Sequence, residues 1–371
     1  MSQTDTESIK DALKQPRLKR HTFQEKDLLS TGSTLLNLAC SGSINGGLCK
    51  GRYFWMVGDS SSGKTMLTLT ILAEASINPS FDNYDLIYDD VEGGALMDVE
   101  QFFGKKLAER LSPPFWIEDT PDYSRTAEDF YFGLDSRLTD VESGEAKPFI
   151  WILDSMDALS TKYEGEKFAE KKKAWEEEKK PKGDYGDGKA KINSTWIRSV
   201  VPRLRDTGSI LVILSQTRDN INASMFESSS THAGGRSLKF YAAWQLWSSL
   251  GKAITKQVKG KNRQLGIVSR IAIKKNRLTG RETTGDTVVQ VPIYHSFGID
   301  DIGSCVDYLV EEGHWAGSGN VHAAEFDFKG RRERLIRMIE EDEAELELKS
   351  IVKKVWTEIQ QACIVDRKNR Y

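Results

Sequence analysis

At 371 residues the chain suits one large domain with a satellite, or two medium domains, and a core of that size stands without disulfides or structural metals. Its 39% hydrophobic and 29% charged content is that of an ordinary globular protein. No apolar run approaches the ~20 residues of a membrane span, and the polar N-terminus lacks a signal-type apolar stretch, so an intracellular location is expected. A net charge of −3 excludes a protein that is cationic all over, so any nucleic-acid site must be a local basic surface.

Residues 1–28 read as a short polar arm with basic patches, carrying one helix near 8–14. Globular patterning then begins. Residues 53–57 form an apolar strand, followed by a Gly/Ser-rich turn and a helix over 64–75. Further strands are expected at 85–88, 149–153 and 210–214. Uniformly apolar strands alternating with helices predict an α/β fold with a mostly parallel sheet covered on both faces. Strands near 242–250, 269–273 and 288–292 suggest an antiparallel extension. From about residue 299, helical patterns at 302–312 and 331–361 point to a small, mostly helical C-terminal domain. The expected division is therefore an arm (1–28), a core (29–298) and a C-terminal domain with a helical tail (299–371). Cys40, Cys49, Cys305 and Cys363 form no C-x-x-C pair, so they read as reduced thiols rather than zinc ligands. Residues 162–191 are dense in Lys and Glu and read as a solvated helix or mobile loop.

Gly58-Asp59-Ser60-Ser61-Ser62-Gly63-Lys64-Thr65 matches G-x-x-x-x-G-K-[ST] between a strand and a helix, the context this phosphate-binding motif requires. Its glycines let backbone N–H groups converge on phosphate oxygens, and the helix N-terminus, Lys64 to Met66, adds positive potential. Lys64 can reach the β- and γ-phosphates of ATP, and the Thr65 hydroxyl can ligate Mg²⁺. Asp154 ends an apolar strand and can deliver a carboxylate to the same metal; its bland alternative is a helix cap. Hydrolysis also needs a group that orients water. Glu92, Asp89 and Asp90 compete for that role on position, and Glu92 is preferred mainly for the resemblance given next. Gln216, at the end of the 210–214 strand, can sense the γ-phosphate and report to the loop that follows.

These motifs together resemble the RecA recombinase family over about residues 29–329. Ser30-Thr31-Gly32-Ser33 with Leu35-Leu36-Asn37 resembles the family's entry into its core. Asp90-Val91-Glu92 resembles its catalytic-glutamate segment, Leu153-Asp154-Ser155 its Walker B strand, and Ser215-Gln216-Thr217-Arg218 its nucleotide-sensing strand end. Narrower still is Met225-Phe226, a polar run, Gly234-Gly235 and Leu238-Lys239-Phe240-Tyr241-Ala242, which resembles the family's second DNA-binding loop and its exit. The resemblance implies DNA contacts at Arg218, Met225, Phe226, Gly234, Gly235 and Arg236 within and beside the loop 219–235. Phe226 or Met225 would insert between bases; the plain alternative is a local hydrophobic anchor. Lys274-Lys275-Asn276-Arg277 is similar to a turn that touches the neighbouring subunit's nucleotide, implying that Lys275 and Arg277 act in trans.

Three departures stand out. The arm is short, the insert at 162–191 replaces the family's first DNA loop with a longer charged segment, and the adenine-stacking position offers only Gln101 or Phe102. The insert's lysines at 171–173, 179, 180 and 182 suit phosphate contacts, while Glu176, Glu177 and Glu178 suit a self-paired helix. The implied activity is a DNA-dependent ATPase acting as a recombinase. It would coat single-stranded DNA as a helical homo-oligomer and pair it with duplex DNA, and a phage-encoded or otherwise divergent member fits. The alternatives are a RecA-fold ring motor such as a replicative helicase, and a non-hydrolysing DNA-binding paralogue.

Overall fold

The structure is a computed structural model that describes residues 24–177, 188–219, 230–232, 236–283, 285–317 and 319–367. The helix expected near 8–14 lies outside them. The architecture is α/β, built on one ten-stranded sheet. Its strands are β1 (Tyr53–Gly58), β2 (Asp85–Asp90), β3 (Leu111–Ser112), β4 (Phe149–Asp154), β5 (Ile210–Asp219), β6 (Ser230–His232), β7 (Trp244–Val258), β8 (Lys261–Asn276), β9 (Val289–Tyr294) and β10 (Gly298–Ile299). The order across the sheet is β10-β9-β8-β7-β1-β5-β4-β2-β3, with β6 paired antiparallel to β5. From β7 through β3 the neighbours are parallel, and β8, β9 and β10 extend the sheet antiparallel.

The central strands are apolar on both faces because both faces are covered. Phe54 and Met56 of β1 enter one core with Ile150, Ile152, Val212 and Leu214, while Tyr53, Trp55 and Val57 enter another with Trp151, Leu153, Leu211 and Ile213. The first core is closed by α1 (Thr34–Ser41) and α2 (Lys64–Ile77), the second by α3 (Ala127–Ser143) and α5 (Gly188–Thr207). Burying two such faces is the main favourable term, at about 25 cal/mol per Å² of apolar surface removed from water.

Local signals set the helix limits. A Thr126–Asp129 capping box starts α3, and Gly144 at φ 80° ends it in the left-handed region that favours glycine. Ser33 caps α1, whose first residue Thr34 donates from its backbone N and its hydroxyl to Asp301, at 2.6 and 2.8 Å. Asp301 opens α7 (Asp301–Glu311), which lies with α8 (Arg332–Glu341) and α9 (Glu345–Ala362) in a third core that also takes in Leu38 of α1.

Three expectations about extent change. The strands near 242–250 and 269–273 are far longer, because β7 and β8 pair with each other beyond the sheet, up to Val258 and Lys261. The C-terminal region also contains a hairpin, Asn320–Ala323 with Phe328–Arg331, and its helical pattern breaks in two at residues 342–344. Finally, the insert is not uniformly a solvated excursion. Residues Lys162–Glu176 form α4, capped by Thr161 and Glu164 and without a buried residue, whereas 188–191 already belong to α5. There Lys189 is buried, and its ammonium bonds the carbonyls of Met156 and Asp157 at 3.4 and 3.3 Å. Lysines 179, 180 and 182 and Glu178 lie outside the described residues, and 171–173 sit on α4.

Candidate nucleotide site

The parallel strands β1, β2, β4 and β5 end side by side, so the turns after them share one crevice. After β1 the chain turns through residues 59–62 and enters α2 at Gly63, whose φ of 87° suits glycine; an added Cβ would also strike the Ile293 side chain at 2.4 Å. Gly58 is needed for space, since a Cβ there would lie 1.9 Å from Ser248 Oγ. β7 holds the turn firmly. Asp59 N donates to Ser248 O (3.2 Å), and the Ser62 and Ser248 hydroxyls are 2.8 Å apart. Ser62 Oγ also donates to Asp59 O at 2.7 Å, while Thr217 Oγ1 donates to Asp59 Oδ1 at 2.6 Å. Ser60 and Ser61 are exposed at the outer side of the turn, Ser61 with φ 60°. Met66 is half-buried in the first turn of α2 and packs on the first core.

Lys64 is largely buried and folds back over the turn, donating from Nζ to Gly58 O at 2.9 Å and Asp59 O at 2.7 Å. Burial lowers its ammonium from its ordinary value, opposed by the carboxylates of Asp154, Glu92, Asp59 and Asp157. The Thr65 hydroxyl donates to Asp154 Oδ2 at 2.7 Å, and so does the Tyr88 hydroxyl at 2.7 Å. Burial raises the Asp154 carboxyl, the two hydroxyl donors hold it down, and Glu92 and Asp90 push it up again. A carboxylate at the end of a rigid strand, against a threonine on the phosphate-loop helix, is the oxygen pair a hard divalent cation would use.

Glu92 follows β2 and meets two other strand ends. Its Oε1 accepts from Gln216 Nε2 at 2.9 Å and from the Ser155 hydroxyl, and its backbone N donates to Asp154 O at 3.2 Å. Gln216 is itself fixed by its backbone N, which donates to Asp157 Oδ2 at 2.8 Å. The two competitors are occupied elsewhere. Asp89 is buried and accepts from Ser124 N (3.0 Å) and Ser124 Oγ (2.6 Å), and Asp90 accepts from Gly94 N and Ala95 N. Burial lifts the Asp89 carboxyl to about 6.

Lys275 and Arg277 stand apart from this crevice. Arg277 N bonds Ala243 O, and Ala243 N bonds the carbonyl of Tyr53 at the start of β1, five residues before Gly58. The Lys275 ammonium donates to Lys239 O and Phe240 O, and Arg277 donates to Phe240 O at 2.8 Å with its guanidinium 5.7 Å from the Phe240 ring. Burial, then Arg277 and Lys239, bring the Lys275 ammonium down to about 8. Arg236 is exposed at the start of α6 (Arg236–Tyr241). Arg218 lies on β5, with its side chain outside the description, and Met225, Phe226, Gly234 and Gly235 lie outside the described residues. Gln101 is exposed; Phe102 is half-buried, its ring 6.2 Å from that of Phe103. No described helix is long and apolar enough to cross a membrane.

Sequence reasoning gave no role to Tyr88, Asp157 and Ser248, and named Thr217 only as part of a motif. Their roles come from pairing between strands that are distant in sequence, which leaves no local signal.

A family model described as the RecA N-terminal domain matches residues 172–299. The chain is 27% identical over 325 residues to Protein RecA of Pseudomonas putida, covering 84% of this chain and 79% of that protein. It is 28% identical over 326 residues to Protein RecA of Chloroherpeton thalassium, covering 85% and 77%. With Protein RecA of Clostridium beijerinckii the identity is 25% over 347 residues, covering 91% and 82%.

Proposed function

Because this chain is a divergent member of the RecA family, we propose that it is an ATP-dependent DNA recombinase that assembles on single-stranded DNA and pairs it with a homologous duplex. The observation that carries this reading is the Gln216–Glu92 contact at 2.9 Å. It ties the residue placed to orient water to the strand that leads directly into the loop 219–235. A change at the nucleotide is thereby able to reach a DNA-binding loop through one side chain.

In this reading the residues 58–66 cradle the phosphates of ATP, with the N–H groups at the start of α2 and the Lys64 ammonium facing the β- and γ-phosphates. The bonds from Lys64 to the carbonyls of Gly58 and Asp59 support an ammonium standing at the turn, and glycines at 58 and 63 let the turn pack against Ser248 and Ile293 where a side chain would collide. Thr65 and Asp154 would hold Mg²⁺, which when bound neutralises charge on the phosphates. Glu92 accepts the proton of the attacking water, and Ser155 and Gln216 fix its carboxylate while Asp154 O holds its backbone. Lys275 and Arg277 lie too far from their own phosphate loop and serve the nucleotide of a neighbouring copy. Arg218, Met225, Phe226, Gly234, Gly235 and Arg236 contact DNA. The division into an arm (1–28), a core (29–298) and a C-terminal domain (299–371) belongs to the same reading.

Negative-stain imaging with single-stranded DNA and a slowly hydrolysed ATP analogue tests the assembly. Helical filaments support the recombinase. Closed rings would assign the chain to the ring motors, and DNA-independent particles would remove the filament altogether.

A further inference from the structure

Tyr88 lies on β2 opposite Ile152 of β4, in a strand pair whose last paired residues are Asp90 and Asp154. Side chains alternate along a strand, so Leu86 and Tyr88 enter the first core while Ile87 enters the second. The Tyr88 ring is buried there, on the face that α2 covers. Its hydroxyl donates to Asp154 Oδ2 at 2.7 Å, and the Thr65 hydroxyl donates to the same oxygen at 2.7 Å. One carboxylate oxygen thus joins β2, β4 and the first turn of α2.

Burial of the ring does not explain the hydroxyl. Tyr53 is also buried, and its hydroxyl has no hydrogen-bond partner among the described residues, so this sheet accommodates a tyrosine without one. Asp154 is buried too, and a carboxylate removed from water needs donors. Both hydroxyls that donate to it are neutral. A Lys or Arg in place of Tyr88 would offset the carboxylate's charge and repel an approaching cation. A phenol holds the carboxylate and does neither. Thr65 gives its proton to Asp154 and so keeps its oxygen lone pairs for a metal. The direction of those lone pairs follows from where Asp154 Oδ2 is held, and Tyr88 is the second tie on that oxygen.

We propose that Tyr88 is a positioning residue for the divalent cation of this site: its hydroxyl fixes the Asp154 carboxylate, and through it the Thr65 hydroxyl, in the arrangement that accepts Mg²⁺. Tyr88 itself touches neither metal nor nucleotide. Outer partners of this kind orient a ligating carboxylate, and losing one lowers metal affinity by roughly 10–100-fold. The role rests on the nucleotide reading above and extends it to a residue outside the phosphate loop.

The test is Mn²⁺ affinity of the full chain with ADP, read from the free-ion electron spin resonance signal, for the natural protein, Tyr88→Phe and Tyr53→Phe. ADP affinity in excess EDTA and urea unfolding are measured alongside. In Tyr88→Phe, Mn²⁺ affinity is expected to fall by about tenfold or more, with ADP affinity in EDTA unchanged. The Mg²⁺ concentration that half-saturates ATP turnover should rise by more than turnover at saturating Mg²⁺ falls. Tyr53→Phe, which removes a buried hydroxyl far from Asp154, should match the natural chain. Tyr88→4-aminophenylalanine, which keeps a neutral donor on the same ring, should restore Mn²⁺ affinity. Unchanged Mn²⁺ affinity in a folded Tyr88→Phe would overturn the role, as would a loss that the amino variant fails to restore. An equal loss of ADP affinity in EDTA would also overturn it, since the phosphate loop as a whole would then be disturbed. If the natural chain bound neither ADP nor Mn²⁺, the fault would lie with the nucleotide reading itself.

Discussion

Gln216 donates from Nε2 to Oε1 of Glu92 across 2.9 Å, although the two residues are 124 positions apart in the chain. They meet because β5 and β2 run parallel on either side of β4, so both strands end over the same crevice. Glu92 is thus held by a residue near the end of the strand that leads into residues 219–235, so under the proposed function nucleotide chemistry and DNA binding would share one hydrogen bond.

Replacing Glu92 by Gln keeps the shape and removes the proton acceptor. ATP turnover is expected to fall by about 100-fold or more, the usual contribution of a positioned base, with nucleotide affinity retained. Complexes with single-stranded DNA should persist longer, read as a slower off-rate after ATP is diluted. Unaltered turnover with fast DNA release would take Glu92 out of this role.

Gln216→Ala is expected to separate the two activities. ATP should still bind, yet it should no longer raise affinity for single-stranded DNA. Fluorescence anisotropy with and without an ATP analogue measures this directly, and a preserved ATP effect would mean that the signal travels by another route.

Asp89 makes a pH-dependent contribution to stability. Its carboxyl is raised to about 6 by burial, against an unfolded value of about 4. Between these values the folded state holds the proton more tightly, so this contribution is full at low pH and is lost as pH rises from about 4 to 6. The span corresponds to roughly 3 kcal/mol. In Asp89→Asn the amide oxygen can still accept from Ser124 and nothing titrates. Relative to that variant, the natural chain should therefore lose stability between pH 4 and pH 6.5, measured by urea unfolding. Parallel pH profiles would show that Asp89 keeps an ordinary carboxylate value.

Phe226→Ala should weaken single-strand binding by about 1–3 kcal/mol if the ring stacks on bases, while nucleotide binding is spared. Equal DNA affinity would make Phe226 a hydrophobic anchor of its own loop.

The phosphate loop and Asp154 stand out in the sequence because each carries a local mark, glycines before Lys-Thr or a carboxylate at the end of an apolar run, whereas Glu92 is preferred over Asp89 and Asp90 mainly by the family resemblance. Tyr88, which bonds the same Asp154 oxygen as Thr65, carries no such mark. Its place depends on the register of β2 against β4, where Tyr88 pairs with Ile152. The length of β7 and β8 was hidden for a different reason. Outside the sheet neither face of the hairpin is buried, so the alternating apolar pattern that announces a strand fades into Lys, Thr, Gln and Asn. The proposed service of Lys275 and Arg277 to a neighbouring copy would depend on an assembly that no single chain displays.

The central claim, that nucleotide turnover here serves DNA, is tested most directly by steady-state ATP hydrolysis with and without single-stranded DNA, using the natural chain and Lys64→Ala. The expected result is a severalfold or greater stimulation by DNA in the natural chain and loss of turnover in the variant. Turnover indifferent to DNA, or undiminished in Lys64→Ala, would contradict the account.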